Sequence, residues 1–426
     1  MALKLKLLCV HADGSYHLSQ LMLRPLACLA LALLLPLPPP ARAASTVVTH
    51  LPGFDGPLPF HLETGYVGVE EETGTELFYY FMESEGSPRT DPLLLWLSGG
   101  PRCSVFSGIV YEIGPIMFAM ERYTYNGEVP RLEYNPYSWT KLASILFVDT
   151  PVGSGFSYAH DPKGYDVGDI SSSMQVVKFL RKWLDDHPKY LFNSFYVGGD
   201  SYAGKVVPLI TQYLSEGIED MRHPIINLKG YLVGNPITGD KIDLNSRIPY
   251  SHSFGVISDQ MYELISEEVN PLCPFEWPWP TPGRDASHRK SLAEEHYWLG
   301  GPPDEPPFSC FSGTVTEWIR CPEGLPYTYD LPSSINCHFN LTSRGYRALV
   351  YSGDQDPIVP FSGTQAWIRS LNFSIVDDWR AWHLDGQSAG AVAIVLPKIG
   401  LKNPSLWQNG GWMVNPFDVP LHTPRL

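Results

Sequence analysis

The sequence predicts an α/β protein with a largely parallel central sheet and helices on both faces. Five short apolar runs are predicted strands, each followed by a loop of Gly, Ser, Pro or Asp: Leu93–Leu97, Ala143–Val148, Phe195–Val197, Leu228–Val233 and Tyr346–Tyr351. Between two of these runs, apolar residues recur at helical spacing over Ser172–Asp186 and predict an amphipathic helix. Strands that alternate with helices are typical of a parallel sheet covered on both sides.

Length and composition fit a globular enzyme. The chain has 426 residues, which suits one large domain with an inserted lid or two domains. Apolar residues make up 44% and charged residues 18%, enough to build a core. A net charge of -15, without a long run of Lys or Arg, argues against nucleic-acid binding. Neither Cys-x-x-Cys nor a Cys/His cluster occurs, so we predict no metal site and no cofactor.

The first 43 residues are predicted to be an N-terminal extension and a secretory signal peptide. Arg24 precedes an apolar stretch over Leu26–Leu37, and Ala41-Arg42-Ala43 is a small-x-small cleavage site. The apolar stretch is too short to cross a bilayer of about 30 Å as a helix, so we expect no stable membrane anchor. The sequence therefore predicts an exported protein, extracellular or vacuolar.

Three further regions are predicted beyond the signal peptide. Residues 44–390 carry the strands and helices of the main domain. An insertion at about residues 240–330 includes the stretch Asn270–Pro307, which is rich in Pro and Trp and has no sustained period. The tail, residues 391–426, is divergent and has one clear apolar run, Ala391–Leu396.

The segment Gly199–Gly204 is a candidate nucleophile elbow. It reads Gly-Asp-Ser-Tyr-Ala-Gly and lies between the strand Phe195–Val197 and the apolar run Val206–Tyr213. Small residues around a serine between strand and helix allow a sharp turn that holds the hydroxyl clear of the backbone. Ser201 is therefore the predicted nucleophile. A plain Gly/Ser turn before a helix is the alternative interpretation.

Two other elements complete the predicted chemistry. Gly99 and Gly100 follow the strand Leu93–Leu97 and can direct a backbone N–H at a developing oxyanion, while Tyr202 can supply a second N–H. After the last predicted strand, either Asp354 or Asp356 could orient a histidine, unless these residues only form turns. The order of oxyanion loop, nucleophile and late acid predicts the α/β-hydrolase fold.

Four segments together resemble the signature blocks of the serine carboxypeptidase-like family. They occur in the family's order, and the similarity runs from about Val48 to Gly390. The blocks are Trp96–Ser104, Phe147–Tyr158, Gly199–Tyr202 and Tyr351–Asp356.

The resemblance implies a role for individual residues. Ser201 matches the nucleophile, Asp356 the acid of the triad, and the backbones of Gly100 and Tyr202 the oxyanion hole. In the carboxypeptidases of this family, an Asn and two Glu residues hold the peptide's terminal carboxylate. The corresponding positions of this chain are Ser98, Glu112 and Asp200, and Gly99 is a further predicted substrate-binding residue. Ser in place of Asn and Asp in place of Glu weaken that carboxylate clamp.

The same blocks resemble the plant acyltransferase branch of the family, as do Phe361–Ile368 and Val376–Trp382. The expected reaction is transfer of an acyl group from a glucose ester to an alcohol through an acyl-enzyme. A serine carboxypeptidase that releases C-terminal residues is the alternative. The expected partners are therefore a small-molecule acyl donor and acceptor, or a peptide C-terminus. The sequence makes no prediction of oligomeric state.

One family block is missing. The catalytic histidine belongs to a Gly-x-Gly-His-x-x-Pro-like block near the C-terminus, and this chain has none. The resemblance ends at Gly390, and the only later histidine, His422, lies in an unrelated context. We therefore expect the C-terminal part to be truncated or replaced, as in an incomplete or alternatively spliced product. A catalytically impaired binding protein on the same scaffold is a further alternative.

Position 102 is a second departure, because Arg102 stands where the family usually has Gly. If φ is positive there, an Arg is strained by about 1–2 kcal/mol.

Covalent features are also implied. The family suggests a disulfide between Cys103 and Cys321, while the partners of the three cysteines Cys273, Cys310 and Cys337 stay open. Asn340 and Asn372 begin glycosylation sequons that an exported chain could use.

Overall fold

The computed structural model describes residues 45–119, 129–268, 318–322, 324–384, 387–396 and 411–414. The predicted signal peptide, most of the predicted insertion and most of the divergent tail lie outside the described residues. Within those ranges, no helix combines the length and hydropathy needed to span a membrane.

The strands of the described residues are β1 Ser45–Val48, β2 Leu62–Glu70, β3 Thr75–Met82, β4 Leu93–Leu97, β5 Ile116–Phe118, β6 Leu132–Tyr134, β7 Ser144–Val148, β8 Tyr158–Ala159, β9 Val167–Gly168, β10 Phe195–Asp200, β11 Leu228–Gly234, β12 Tyr327–Thr328, β13 Arg347–Tyr351, β14 Ser374–Leu384, β15 Gln387–Leu396 and β16 Gly411–Val414.

The α-helices of the same residues are α1 Asp169–Asp186, α2 Ala203–Glu219, α3 Lys241–Asn245, α4 Arg247–Ser253, α5 Asp259–Glu268, α6 Ile335–Ser343 and α7 Phe361–Ser370. A π-helix covers Gly108–Glu112, and short 3-10 helices cover Trp139–Lys141, Pro162–Tyr165 and Pro188–Tyr190.

One large mixed sheet organises the described residues. Its order is β1-β2-β3-β7-β4-β10-β11-β13-β16-β15-β14, with β8 paired to β3. The strands from β7 to β16 in this order pair in parallel, whereas both flanks are antiparallel. Parallel strands end at a common edge, so the loops after β4, β10, β11 and β13 meet there.

The central strands are apolar on both faces because helices and loops cover both. In β4 every residue is buried. Side chains alternate between faces along a strand. Leu93, Leu95 and Leu97 accordingly join the cluster that α1 and α2 cover, while Leu94 and Trp96 join the cluster on the opposite face.

The two helices beside the nucleophile strand begin and end for local reasons. The helix α1 begins with Asp169, an acidic residue suited to the helix N-terminus, and ends before the His187-Pro188 pair. Its apolar face buries Phe179, Leu180 and Trp183 against the sheet. The helix α2 starts directly after the elbow and is apolar along most of its length.

The predicted fold is confirmed. All five predicted strands are present, with β10 and β11 running slightly further than predicted, and α1 starts three residues before the predicted Ser172. The antiparallel strands β2 and β3 were not predicted. Part of the divergent tail also belongs to the sheet, since β15 pairs with β14 and β16 pairs with β13.

The disulfide that the resemblance implies is present. Cys103 and Cys321 are bonded and join the loop after β4 to the segment before β12. Cys337 is buried and carries a free thiol, whereas Cys273 and Cys310 lie outside the described residues.

Candidate functional site

Ser201 lies at the junction of β10 and α2. Its φ is 54°, a left-handed conformation that is rare for a residue with a side chain. The turn is held from both sides, because the Ser201 N–H donates to Gly234 O at 2.8 Å and the Ser201 carbonyl accepts from Ile237 N at 3.0 Å. The strained turn leaves the side chain partly exposed. The structure thus has a sharp strand-to-helix turn at the candidate elbow, and the role of Ser201 as nucleophile stays a prediction.

The loop after β4 packs directly against the elbow. A Cβ atom added to Gly99 would lie 2.7 Å from Ser201 Cβ and 2.9 Å from Tyr202 N, so a side chain at position 99 would clash. Gly100 has a φ of 120°, a conformation that favours glycine. Within the described ranges, the N–H groups of Gly100 and Tyr202 donate no hydrogen bond. Two backbone donors next to the serine are thus left for an oxyanion.

A buried polar network anchors the side chain of Tyr202. Its hydroxyl donates to Asp169 Oδ1 at 2.6 Å, and the Tyr327 hydroxyl donates to the same oxygen at 2.9 Å. Lys205 Nζ lies 3.0 Å from Asp169 Oδ2, and Leu331 N donates to that oxygen at 3.1 Å. Because Asp169 and Lys205 are both buried, the network holds the start of α2 against α1.

Asp356 lies on the loop after β13, two strands along the sheet from Ser201. Its Oδ1 accepts from the N–H groups of Ile358 and Val359 at 2.7 and 3.0 Å. Its Oδ2 accepts from Asn235 Nδ2 at 2.8 Å. Asn235 directly follows Gly234, whose carbonyl holds Ser201, so one short chain of contacts links the acid to the elbow.

The other candidate acid, Asp354, has a different environment. Its carbonyl accepts from the Tyr250 hydroxyl at 2.7 Å, and its Oδ1 is buried without a hydrogen-bond partner. No histidine of the described residues hydrogen-bonds Ser201, Asp354 or Asp356. His383 is exposed on β14, and His422 lies outside the described residues.

Glu112 and Asp200 form a pair of interacting acids beside the elbow. Burial, together with the nearby charge of Asp200, raises the pKa of Glu112 well above its usual range. Burial also raises the pKa of Asp200 to about 6. Trp96 Nε1 donates to Glu112 Oε2 at 3.2 Å, whereas Asp200 Oδ1 has no hydrogen-bond partner. Glu112 is exposed and Asp200 is partly exposed, so solvent reaches the pair.

Ser98 begins the loop after β4, which is the predicted oxyanion loop, and lies two residues after Trp96. Its hydroxyl is buried and makes no hydrogen bond within the described part of the chain. Among these same residues, no group of three or more His, Cys, Asp or Glu side chains is placed to hold a metal ion.

Arg102 has the conformation for which strain was expected, with a φ of 72°. Its guanidinium is buried and donates to the carbonyls of Val152, Tyr165 and Pro326, the second of these at 2.9 Å. Burial lowers the pKa of Arg102 from its ordinary value. The side chain therefore joins the oxyanion loop to two other loops.

Both sequon asparagines are exposed. Asn340 lies on α6, and Asn372 follows α7 with a φ of 53°. A glycan at either position would meet solvent.

Two residues near the site were missed by sequence reasoning. Asn235, which holds Asp356, directly follows the strand β11, and its only sequence signal is an Asn-Pro pair after an apolar run. Tyr351 lies at the end of β13 and faces the two acids, but in the sequence it is one more apolar strand residue.

Comparison with known families gives a match over most of the chain. The family model described as serine carboxypeptidase matches residues 52–291 and 311–411. The matched stretch extends past Gly390, where the resemblance of the sequence blocks ends.

Curated plant proteins are similar along most of their length. Serine carboxypeptidase-like 3 of Arabidopsis thaliana is 44% identical over 382 residues, which cover 82% of this chain and 85% of that protein. Serine carboxypeptidase-like 17 of the same plant is 45% identical over 379 residues, with the same coverage of each chain.

A solved structure has a similar fold. Kex1Δp, a prohormone-processing carboxypeptidase from Saccharomyces cerevisiae, superposes with a TM-score of 0.62 over 84% of this chain and 89% of that chain. Its sequence identity is 17%, so this likeness concerns the fold alone.

Proposed function

Since this chain belongs to the serine carboxypeptidase family, we propose that it acts through an acyl-enzyme on Ser201 and transfers an acyl group from a glucose ester to an alcohol. The observation that carries the proposal is the strained turn at Ser201, which lies against Gly99 beside two unpaired N–H groups. Strain of this kind, about 1–3 kcal/mol for one residue, is concentrated at functional sites.

The proposed reaction has two steps. The Ser201 hydroxyl oxygen attacks the ester carbonyl while its proton passes to a base. The negative oxygen that forms is stabilised by the N–H groups of Gly100 and Tyr202. Collapse of this intermediate breaks the ester bond. The leaving oxygen takes up the proton from the base, so glucose is released and the acyl group stays on Ser201. An alcohol then attacks the acyl-enzyme and restores the serine.

The residues at the carboxylate-binding positions support transfer over peptide cleavage. Ser98 replaces the family's Asn and offers a hydroxyl in place of an amide donor. Asp200 replaces a Glu, and its carboxylate is shorter by one methylene group. Both changes weaken the grip on a terminal carboxylate and leave the sugar of an ester as the better fit.

The described residues place no histidine in hydrogen-bond contact with Ser201. The family's histidine block is missing from the sequence, and Asp356 is hydrogen-bonded to Asn235. Loss of a triad member leaves an acceleration of about 10³–10⁴ over water, which comes from the oxyanion hole and substrate binding. Turnover by this chain is therefore expected to be slow.

One experiment compares the candidate reactions directly. Purified protein is incubated with 1-O-benzoylglucose plus a set of alcohols, and separately with N-blocked dipeptides, and products are separated by chromatography. We expect benzoyl esters of the alcohols from the wild type and none from Ser201→Ala. Release of C-terminal amino acids without ester formation would reject acyl transfer in favour of peptidase activity.

The carboxypeptidase alternative is favoured by the acid pair. Burial raises the pKa of Asp200 to about 6 and that of Glu112 well above its usual range, so both acids gain protons at a higher pH than free carboxyl groups do. Protonated carboxyl groups can donate to a peptide carboxylate. This alternative predicts that peptide cleavage rises toward acidic pH.

A non-catalytic binding protein is the third candidate, and the missing histidine favours it. A fluorophosphonate separates this candidate from both enzymes, since only an activated Ser201 reacts quickly with it. Wild type that labels no faster than Ser201→Ala would support a binding protein.

We also propose that the chain is exported to the extracellular space or vacuole. The signal-like residues 1–43 and the disulfide Cys103–Cys321 support this, because disulfides persist in oxidising compartments. Treatment of the purified natural protein with an N-glycosidase is expected to lower its mass through Asn340 or Asn372. An unglycosylated protein recovered from cytosol would contradict export.

A further inference from the structure

Three neighbouring strands place Asp200, Gly234 and Tyr351 in one row. Asp200 pairs with Gly234 in the register of β10 and β11, and Gly234 pairs with Tyr351 in that of β11 and β13. Residues paired across parallel strands point to the same face of the sheet. Asp200 and Tyr351 therefore share a face, about 10 Å apart at their backbones, with a residue that lacks a side chain between them.

The ring of Tyr351 fills the space above Gly234. A Cβ atom added to Gly234 would lie 2.5 Å from two ring carbons of Tyr351 and 2.6 Å from its hydroxyl oxygen. The phenol thus crosses β11 toward Asp200. Trp139 packs edge-on against the ring, with a centroid distance of 6.5 Å, and also contacts Trp96, which holds Glu112.

The Tyr351 hydroxyl is a donor without a protein partner. Within the described ranges it makes no hydrogen bond, and the side chain is partly exposed. Burial raises the pKa of Tyr351 well above its ordinary value, and the charges of Glu112 and Asp200 raise it further. The hydroxyl accordingly keeps its proton at neutral pH.

We propose that Tyr351 is a specificity-determining residue whose hydroxyl donates to an oxygen of the substrate group bound beside Glu112 and Asp200. The inference rests on the proposed function in taking the surface beside Glu112 and Asp200 as the substrate site. The ligand chemistry is an acceptor oxygen, supplied by a sugar hydroxyl in a glucose ester or by a carboxylate in a peptide. Above about pH 6 the charged Asp200 would repel a carboxylate, whereas the neutral phenol donates to either group.

The test measures binding without turnover. In a Ser201→Ala background, the dissociation constants of 1-O-benzoylglucose and N-benzoylphenylalanine are measured by calorimetry at pH 5 and pH 7. Adding Tyr351→Phe keeps the ring over Gly234 and removes only the hydroxyl, so we expect about tenfold weaker binding. Gly234→Ala displaces the ring and should cause a loss at least as large. Tyr213→Phe is the matched control, because it removes a tyrosine hydroxyl from α2, ten residues after the start of that helix.

The outcomes separate the two proposals. Weaker binding of benzoylglucose by Tyr351→Phe supports both. If the parent binds only N-benzoylphenylalanine and Tyr351→Phe weakens it, the role of Tyr351 stands and acyl transfer from glucose esters is rejected. Unchanged affinity of Tyr351→Phe for the bound probe, with an unchanged melting temperature, overturns the role of Tyr351. The role of Tyr351 is also overturned if the Ser201→Ala parent binds neither probe.

Discussion

Two residues beside the oxyanion loop have backbone angles that side chains normally avoid. Ser201 and Arg102 have φ values of 54° and 72°. At Ser201 the strain lifts the hydroxyl off the backbone, and two backbone hydrogen bonds hold the turn. At Arg102 the three carbonyls that accept from the guanidinium offset the strain. The first strained residue is the proposed nucleophile, and the second lies in the loop that carries Gly100, a proposed oxyanion donor.

A buried histidine far from the elbow makes stability depend on pH. His338 is 1% exposed, and the Tyr231 hydroxyl lies 2.8 Å from its Nδ1. Burial lowers the pKa of His338 from 6.5 to about 3, so the folded state favours the neutral ring. Its contribution to stability is complete above pH 6.5 and is lost as the pH falls toward 3.

We predict that His338→Gln flattens this dependence. Between pH 7 and pH 4.5, the difference in unfolding free energy between wild type and variant should narrow by about 2–3 kcal/mol. Urea denaturation at the two pH values measures it. His223→Gln, which replaces an exposed histidine, is the control. A difference that stays constant across this range would show that His338 does not titrate as described.

At the scale of elements, the elbow depends on the contact between α1 and α2. Asp169, the first residue of α1, is 0% exposed and pairs with Lys205 in the first turn of α2. The same carboxylate accepts from Tyr202 and Tyr327. The carboxylate of Asp169 therefore joins α1, α2 and β12 next to Tyr202, whose N–H is a proposed oxyanion donor.

We predict that Asp169→Asn destabilises the protein by about 3–5 kcal/mol, because the buried charge of Lys205 loses its partner. Glu70→Gln breaks the exposed pair with Lys178 and should cost about 0–1 kcal/mol. Adding Lys205→Met to Asp169→Asn should recover part of the loss. Equal melting temperatures for Asp169→Asn and Glu70→Gln would rule out this account of the network.

Across the whole molecule, the disulfide spans 218 residues of sequence and ties the loop after β4 to the segment before β12. A cross-link that closes so long a loop restricts the unfolded chain strongly. This restriction can raise the free energy of unfolding by up to about 5 kcal/mol. We predict that Cys103→Ser with Cys321→Ser lowers the melting temperature and slows fluorophosphonate labelling, since the oxyanion loop loses its tie. Cys337→Ser is the control. Unchanged melting in the double variant would refute this prediction.

Much of the site was predictable because its signals are local. The elbow residues Gly199–Gly204 and the glycines Gly99 and Gly100 are encoded by short segments next to apolar strands. The helix α1 follows from its own periodicity. In contrast, β2 and β3 are antiparallel strands whose mixed composition gave no clear pattern, and Asn235 hydrogen-bonds Asp356, a partner 121 residues away.

The amino-acid sequence by itself determined the α/β class, the central strands, the strained serine turn and the family, because each depends on neighbours along the chain. Only the tertiary structure decided that Tyr351 crosses Gly234 toward Asp200, that Arg102 binds three distant carbonyls, and that Asp169 holds Tyr202. These contacts depend on strand register and loop packing, which bring together residues far apart in sequence. Periodicity and motif spacing carry no information about such distances.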